Sequence, residues 1–217
     1  LVATSTGAAK TVKVRHTTVA LTPEAGARPP IHAFWEALVL DGSRIEVILS
    51  DLVECVAMGR SPLVLADRKA YLDRLESAFT ARAASAACFR FDGQLGKKAR
   101  SEVLRRIEEC YETGKTFVLF ATASLIGEGF DLPRLDTLIL SMPLSFKGRL
   151  IQYAGRLNRV HESKNAPLIF DYLDGNHALT NAMFRRRLTG YKELGYQVEM
   201  PQDVVPAWFE DGAGNAK

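Results

Sequence analysis

In the segment IQYAGRLNR, Ile151 to Arg159, the residues Gln152, Gly155, Arg156 and Arg159 recur at helical spacing. On a helix, that spacing brings the glutamine and both guanidinium groups to one face, and Gly155 leaves room there for another backbone or a ligand. Such a face suits an anion, because a guanidinium binds phosphate oxygens through a planar fork and keeps its charge at working pH. The same residues would also make an ordinary solvated basic helix face, since a motif this short recurs by chance.

Upstream, the run ATASLIGEGFDLPRLDTLILS, Ala121 to Ser141, begins as the end of an apolar strand and empties into Thr122, Gly127, Gly129 and Asp131. A glycine-bearing turn after a strand offers backbone N–H groups to phosphates, and a carboxylate there accepts from ribose hydroxyls. The plain alternative is a tight strand-to-helix turn with Asp131 as its cap.

Both segments need a frame that holds them, and the rest of the chain reads as one. Short apolar runs at Pro62–Ala66, Ala87–Phe91, Phe117–Ala121, Asp136–Ser141 and Pro167–Tyr172 predict strands. Between and around them, apolar residues recur at three and four. Ile45, Ile48, Leu49, Leu52, Val53 and Val56 mark one helix, stopped by Gly59. Tyr71, Leu72, Leu75 and Phe79 mark another, with Asp67 as its cap. Val103, Leu104, Ile107 and Tyr111 mark a third, stopped by Gly114, and Leu179, Met183, Leu188 and Tyr191 mark a closing helix. Ile31 to Val39 reads as a further helix ahead of these.

This alternation predicts an α/β fold: an open, doubly wound, mostly parallel sheet with helices on both faces. In such sheets ligands bind beyond the carboxyl ends of the strands, where both polar segments begin. Thr11 to Leu21 alternates apolar and polar residues like an extended strand, and TPEAGARPP follows it as a loop. The expected organisation is an N-terminal segment over 1–30 that ends a preceding region, a domain over 31–198, and a polar tail over 199–217.

The order Leu63-Val64-Leu65…Arg68, Asp92-Gly93…Arg100, Ala121-Thr122…Gly127-Glu128-Gly129-Phe130-Asp131 and Gln152…Gly155-Arg156…Arg159 resembles motifs IV to VI of superfamily 2 helicases. GEGFDLPRLDTLILSMPLSFKGRLIQYAGRLNRVHESK is most similar to the DEAD/DEAH-type helicases related to restriction-enzyme motor subunits and to the XPB-type repair helicase. The resemblance implies a RecA-like sheet forming the second lobe of an ATP-driven motor. Arg159 would then be an arginine finger reaching the γ-phosphate of ATP held by an N-terminal RecA-like lobe of the same polypeptide. Arg156 would stand beside it and Gln152 near the phosphate or the attacking water. Gly127, Gly129 and Asp131 would face the nucleotide. Thr122, Arg68 and Gly93 would lie along the backbone phosphates of DNA, or of RNA.

A complete motor also needs a phosphate loop and a magnesium-binding acidic motif. Ala3 to Thr11, ATSTGAAKT, is similar to the superfamily's AxxTGxGKT loop but carries Ala9 in place of the last glycine. No strand precedes it and an alternating strand pattern follows it, so it is read as a coincidence. ATP and Mg2+ are therefore expected in the two-lobed parent, with neither tightly bound by this chain alone and no hydrolysis by it in isolation. The competing reading is a nucleic-acid-binding or protein-docking module that keeps the fold without the motor.

The remaining features are weaker. Arg185-Arg186-Arg187 on the closing helix reads as a solvated face, and the four histidines show no metal-ligand spacing. Phe34, Trp35 and Trp208 read as core or docking residues. With 47% hydrophobic and 24% charged residues the chain is neither disordered nor fibrous, and its net charge of +3 is compatible with nucleic-acid contact without requiring it. Three widely separated cysteines argue against a disulfide framework, and the longest apolar run, Phe117 to Ile126, is too short for a membrane span. A cytoplasmic setting is expected. The start LVATSTGAAK lacks an initiator Met and a signal-peptide pattern, as an excised piece would.

Overall fold

The structure, a computed structural model, describes residues 9–19, 31–83, 85–122, 135–143, 153–155, 157 and 165–201. In chain order these form β1 (Thr11–Thr17), α1 (Ile31–Leu40), α2 (Gly42–Ala57), β2 (Pro62–Ala66), α3 (Lys69–Arg82), β3 (Ala87–Phe91), α4 (Lys97–Thr113), β4 (Phe117–Thr122), β5 (Thr137–Leu140), β6 (Leu168–Asp174), α5 (Ala178–Glu193) and β7 (Gln197–Glu199). The strands make one sheet in the order β3-β4-β2-β5-β6-β1-β7, and every pairing among them is parallel.

Successive strand residues point to opposite faces, so a strand apolar at every position supplies two cores at once. Val64, Val118, Phe120, Ile139 and Phe170 pack under α1, α2 and α3 through Phe34, Ile48, Leu52, Leu72, Leu75 and Phe79. Leu63, Leu65, Leu119, Leu138 and Ile169 face the other way, against Ile107 of α4, Phe184, Leu188 and Tyr191 of α5, and Tyr153, Ala154 and Leu157. The doubly wound α/β arrangement read from sequence is the observed one.

Helix ends follow local chemistry. The Asp41 carboxylate caps α2 by accepting from the Arg44 N–H at 2.9 Å, one of the first-turn donors that has no partner within the helix. Gly114 ends α4 at φ 67, a left-handed conformation that glycine adopts without a Cβ penalty, and its N–H returns to the Cys110 carbonyl. The cap of α3 differs from expectation. Arg68, and not Asp67, occupies the N-cap position, with extended backbone and no side-chain cap bond. Val53 and Leu104, placed by periodicity on buried faces, are 39% and 37% exposed because each apolar stripe is wider than the sheet surface its helix covers.

β1 lies inside the sheet, in register from Thr11↔Leu168 to Thr17↔Asp174 on one side and with β7 on the other. A boundary at residue 30 therefore divides strands of one sheet. The strand opens at Thr11, so Lys10 leads into extended backbone and not into the helix that a phosphate loop would need.

The triplet on α5 also departs from its reading as a solvated face. Arg185 and Arg186 are exposed, but Arg187 is buried and donates through Nε and Nη2 to the two carboxylate oxygens of Asp171 at 2.7 and 2.8 Å. The Tyr191 hydroxyl donates to the same carboxylate at 2.7 Å. Arg187 shares its helix face with Phe184, Leu188 and Tyr191, so the turn that buries those residues buries the guanidinium too.

Candidate functional site

Three of the residues expected to touch nucleic acid stand at the carboxyl edge of neighbouring strands. Thr122 ends β4 and is in register with Ala66, the last residue of β2, two positions before Arg68. Ala121 is in register with Phe91, the last residue of β3, two positions before Gly93. Strands in such a sheet lie about 4.8 Å apart, so the fold gathers Arg68, Thr122 and Gly93 into one zone. Arg68 and Gly93 are exposed and Thr122 is half-buried.

Local bonds fix this zone. The Arg68 carbonyl accepts from the N–H groups of Tyr71 and Leu72, both at 3.2 Å, which starts α3 at the sheet edge. The next residue, Lys69, donates its ammonium to the Gln94 side-chain carbonyl, tying the start of α3 to the loop after β3. In that loop the buried Asp92 accepts from the Gln94 N–H at 3.0 Å and from Arg90 Nε at 3.2 Å. Arg100, part of the second quoted motif, donates to the Leu95 carbonyl at 2.9 Å and lies 5.8 Å from the Phe91 ring centre. Its role here is to hold the loop. The exposed Lys97 and Lys98 begin α4, immediately after Gly96.

The nucleotide-facing candidates Gly127, Gly129 and Asp131, and the catalytic candidates Gln152, Arg156 and Arg159, lie outside the described residues. Within the arginine segment, Tyr153, Ala154, Gly155 and Leu157 are helical. Tyr153, Ala154 and Leu157 are buried in the sheet-facing core, whereas Gly155 is exposed and a Cβ added there would meet nothing within 4 Å.

The sequence reading missed a buried polar cluster along the same edge. Arg44 of α2 donates through Nε to Asp174 Oδ1 at 3.0 Å, and through Nη1 to the Tyr71 hydroxyl at 2.7 Å and the Ser141 carbonyl at 2.5 Å. Thr17 Oγ1 donates to the same Asp174 oxygen at 2.7 Å, and Thr180 Oγ1 to the Asp174 carbonyl at 2.6 Å. Burial works against the charge on Arg44, but Tyr71 and Asp174 outweigh it and hold the guanidinium above its ordinary pKa. One signal was available: Arg44, Ile48, Asp51 and Cys55 fall at helical spacing on the buried face, where a charged residue needs a partner.

Other chemistry is limited. Burial pushes the Cys55 thiol up to about 12, which leaves it without thiolate at neutral pH. Among the described residues no group of three His, Cys, Asp or Glu side chains is placed to hold a metal ion, and no helix is long and apolar enough to cross a membrane.

Comparison with known proteins bears on this geometry. Residues 45–161 match the model of the helicase conserved C-terminal domain. Over 143 residues the chain is 27% identical to the probable helicase D10 of Escherichia phage T5, covering 65% of this chain and 30% of that protein. The fold is shared with T4 UvsW, at TM-score 0.65 and 14% identity over 88% of this chain and 40% of that one. It is shared also with the C-terminal domain of the DEAD-box protein Dbp5, at TM-score 0.58 and 15% identity over 94% of this chain and 95% of that one. The chain thus spans less than half the length of the phage T5 and T4 proteins. With a family match over more than half of its own residues, and a fold shared with the C-terminal domain of Dbp5 along nearly its whole length, this chain has a RecA-like α/β fold and belongs to the helicase conserved C-terminal domain family.

Proposed function

We propose that this chain is the second motor lobe of an ATP-dependent helicase or translocase, closing on an N-terminal RecA-like lobe of the same polypeptide and tracking the backbone of DNA or RNA in the cytoplasm. The observation that carries the reading is the placement of Arg68, Gly93 and Thr122 on adjacent strand ends at the carboxyl edge of a sheet of this family. The start of α3 and the start of α4 bring Lys69, Lys97 and Lys98 to the same side, which adds positive charge where backbone phosphates would pass.

The arginine segment supplies the chemistry in this proposal. Its apolar residues Tyr153, Ala154 and Leu157 anchor it to the core, and Gly155 is exposed. Gln152 stands three residues before Gly155 and Arg159 four after it, the spacing of a shared helix face. Water attacks the γ-phosphorus of ATP, the bond to the β,γ-bridging oxygen breaks, and ADP leaves. Negative charge on the transferring group is stabilised by Arg159 with Arg156 beside it, while Gln152 orients the water. Gly127, Gly129 and Asp131 contact the nucleotide. The phosphate loop and the ligands for Mg2+ belong to the N-terminal lobe, so this chain alone would bind ATP weakly and would not hydrolyse it.

The test is Arg159→Lys in the full-length protein. Lysine keeps the charge but loses the fork, so stimulated turnover should fall by about a thousandfold. Nucleotide affinity should change far less, because the finger acts mainly as charge develops in the transition state. The melting temperature should stay at the parent's value. Turnover within a few-fold of the parent, with folding and nucleotide affinity intact, would remove the reading.

A further inference from the structure

We infer that Arg90 is a positioning residue for the backbone track: through Asp92 it fixes the loop that carries Gly93 and ties that loop to α3, the helix that begins next to Arg68. The inference rests on the proposed tracking of backbone phosphates. Arg90 stands on β3 at one edge of the sheet, where among the described residues β4 is its one strand neighbour. Support on the outer side of the following loop must therefore come from side chains. The Arg90 guanidinium meets three carboxylates. Nη1 donates to Glu76 Oε2 at 3.0 Å and Nε to Asp92 Oδ2 at 3.2 Å, while Nη2 lies 3.0 Å from Asp73 Oδ1 as an ion pair without hydrogen-bond alignment. Asp73 and Glu76 belong to α3. One side chain thus spans from α3 to the loop after β3. Arg68 and Gly93 follow strands separated by β4, so this span is a second constraint on their spacing besides the sheet.

Asp92 passes the hold on to the turn. Its other carboxylate oxygen accepts from the Gln94 N–H at 3.0 Å and its carbonyl from the Leu95 N–H at 3.1 Å, so the chain bends at Gly93 on bonds to Asp92. Gly93 has no side chain with which to hold itself, and glycine has the most conformational freedom to lose when a ligand fixes it. Ties fall on its neighbours instead: Arg90 on Asp92, Lys69 on Gln94 and Arg100 on Leu95. The first of these joins two full charges whose side chains are only 16% and 10% exposed, so salt and water screen it little. A loop already set in its binding conformation costs less to order when phosphates arrive.

Two conservative variants in the full-length protein test this, each titrated with a single-stranded oligonucleotide at fixed salt and well below its own melting temperature. Asp92→Asn leaves one oxygen, which cannot accept from both Arg90 and the Gln94 N–H, and it also removes a negative charge beside the track. Charge alone would raise affinity, whereas positioning predicts a fall of about three- to tenfold, the worth of one net hydrogen bond to a phosphate. Arg90→Lys keeps the charge but loses the fork that reaches α3 and the loop at once, and affinity should fall by a similar factor. In both variants amide exchange over 92–96 should quicken while β2 and β4 stay protected. Asp92→Asn binding as tightly as the parent or tighter would overturn the inference. So would Arg90→Lys within about twofold of the parent, or weakened binding with unchanged exchange over 92–96. Should one variant fail to fold, the other decides. Gly93→Ala run in parallel separates the two levels. If Gly93→Ala binds like the parent, phosphates do not pass this loop and the inference falls with the tracking reading; if Gly93→Ala binds weakly and the two variants bind normally, the inference alone fails.

Discussion

Gly93 and Gly175 both follow strands at the carboxyl edge, and a side chain would meet a neighbour at only one of them. A Cβ at Gly175 would collide with the His16 imidazole, so nothing larger fits beside β1 without displacing that ring. A Cβ at Gly93 would meet nothing within 4 Å, and Gly93 is absent from the glycines with positive φ. Neither sterics nor backbone conformation demands glycine there, and the missing side chain leaves room for the close approach of a phosphate that the proposed function gives it. Gly93→Ala should leave stability within about 0.5 kcal/mol of the parent. Affinity for nucleic acid should fall by roughly fivefold, the worth of about one net hydrogen bond to a backbone phosphate. Parent-like affinity in a titration with single-stranded and duplex oligonucleotides would take Gly93 off the track.

Among the elements, α5 shows how a charge can be structural in a basic run. Breaking a buried ion pair by removing one partner leaves the other charge unpaired, so Arg187→Met should destabilise the fold by about 3–5 kcal/mol. Arg186→Met, on the exposed side of the same turn, should stay within about 0.5 kcal/mol. Equal melting temperatures for the two variants would contradict the bidentate contact with Asp171. This contact also marks where sequence reading stops. The strand runs at Pro62–Ala66 and Phe117–Thr122 were legible because a strand buried on both faces is apolar at nearly every position. β1 was legible as a strand from its buried Val12 and Val14, but its place in the sheet was not, since Thr17 meets Asp174 across 157 residues of chain. β7 has one apolar residue in three, below any periodic signal. Arg68, Thr122 and Gly93 could be singled out as candidates because their order and separation resemble a family pattern, whereas Arg44 and Arg187 lack one: each is defined by a partner that only folding brings near.

For the whole molecule, net charge says little and its distribution says more. A surplus of three positive charges over 217 residues would not by itself concentrate an anion anywhere. The carboxyl edge is different, because neither α3 nor α4 has an acidic residue in its first turn, and they open with Lys69 and with Lys97 and Lys98. A helix N-terminus is already the positive end of its dipole, so these lysines are unfavourable for the free protein and favourable beside phosphates. Of the nearby carboxylates, Asp92 is taken up by Arg90, while Asp67 stays exposed beside Arg68. If this edge neutralises about three phosphates, the logarithm of affinity should fall with the logarithm of salt at a slope of about −2.1 for single strands to −2.7 for duplex. Between 50 and 200 mM salt that is a loss of roughly 20- to 40-fold, the same for unrelated sequences, because backbone contacts carry no sequence information. Replacing Lys97 and Lys98 by Gln should flatten the slope by about 1.5 if both meet phosphates. Binding that holds steady as salt rises, or that follows one sequence, would mean that base contacts and not the backbone carry the affinity, and a lobe that reads bases at this edge could not slide along a strand as a motor must.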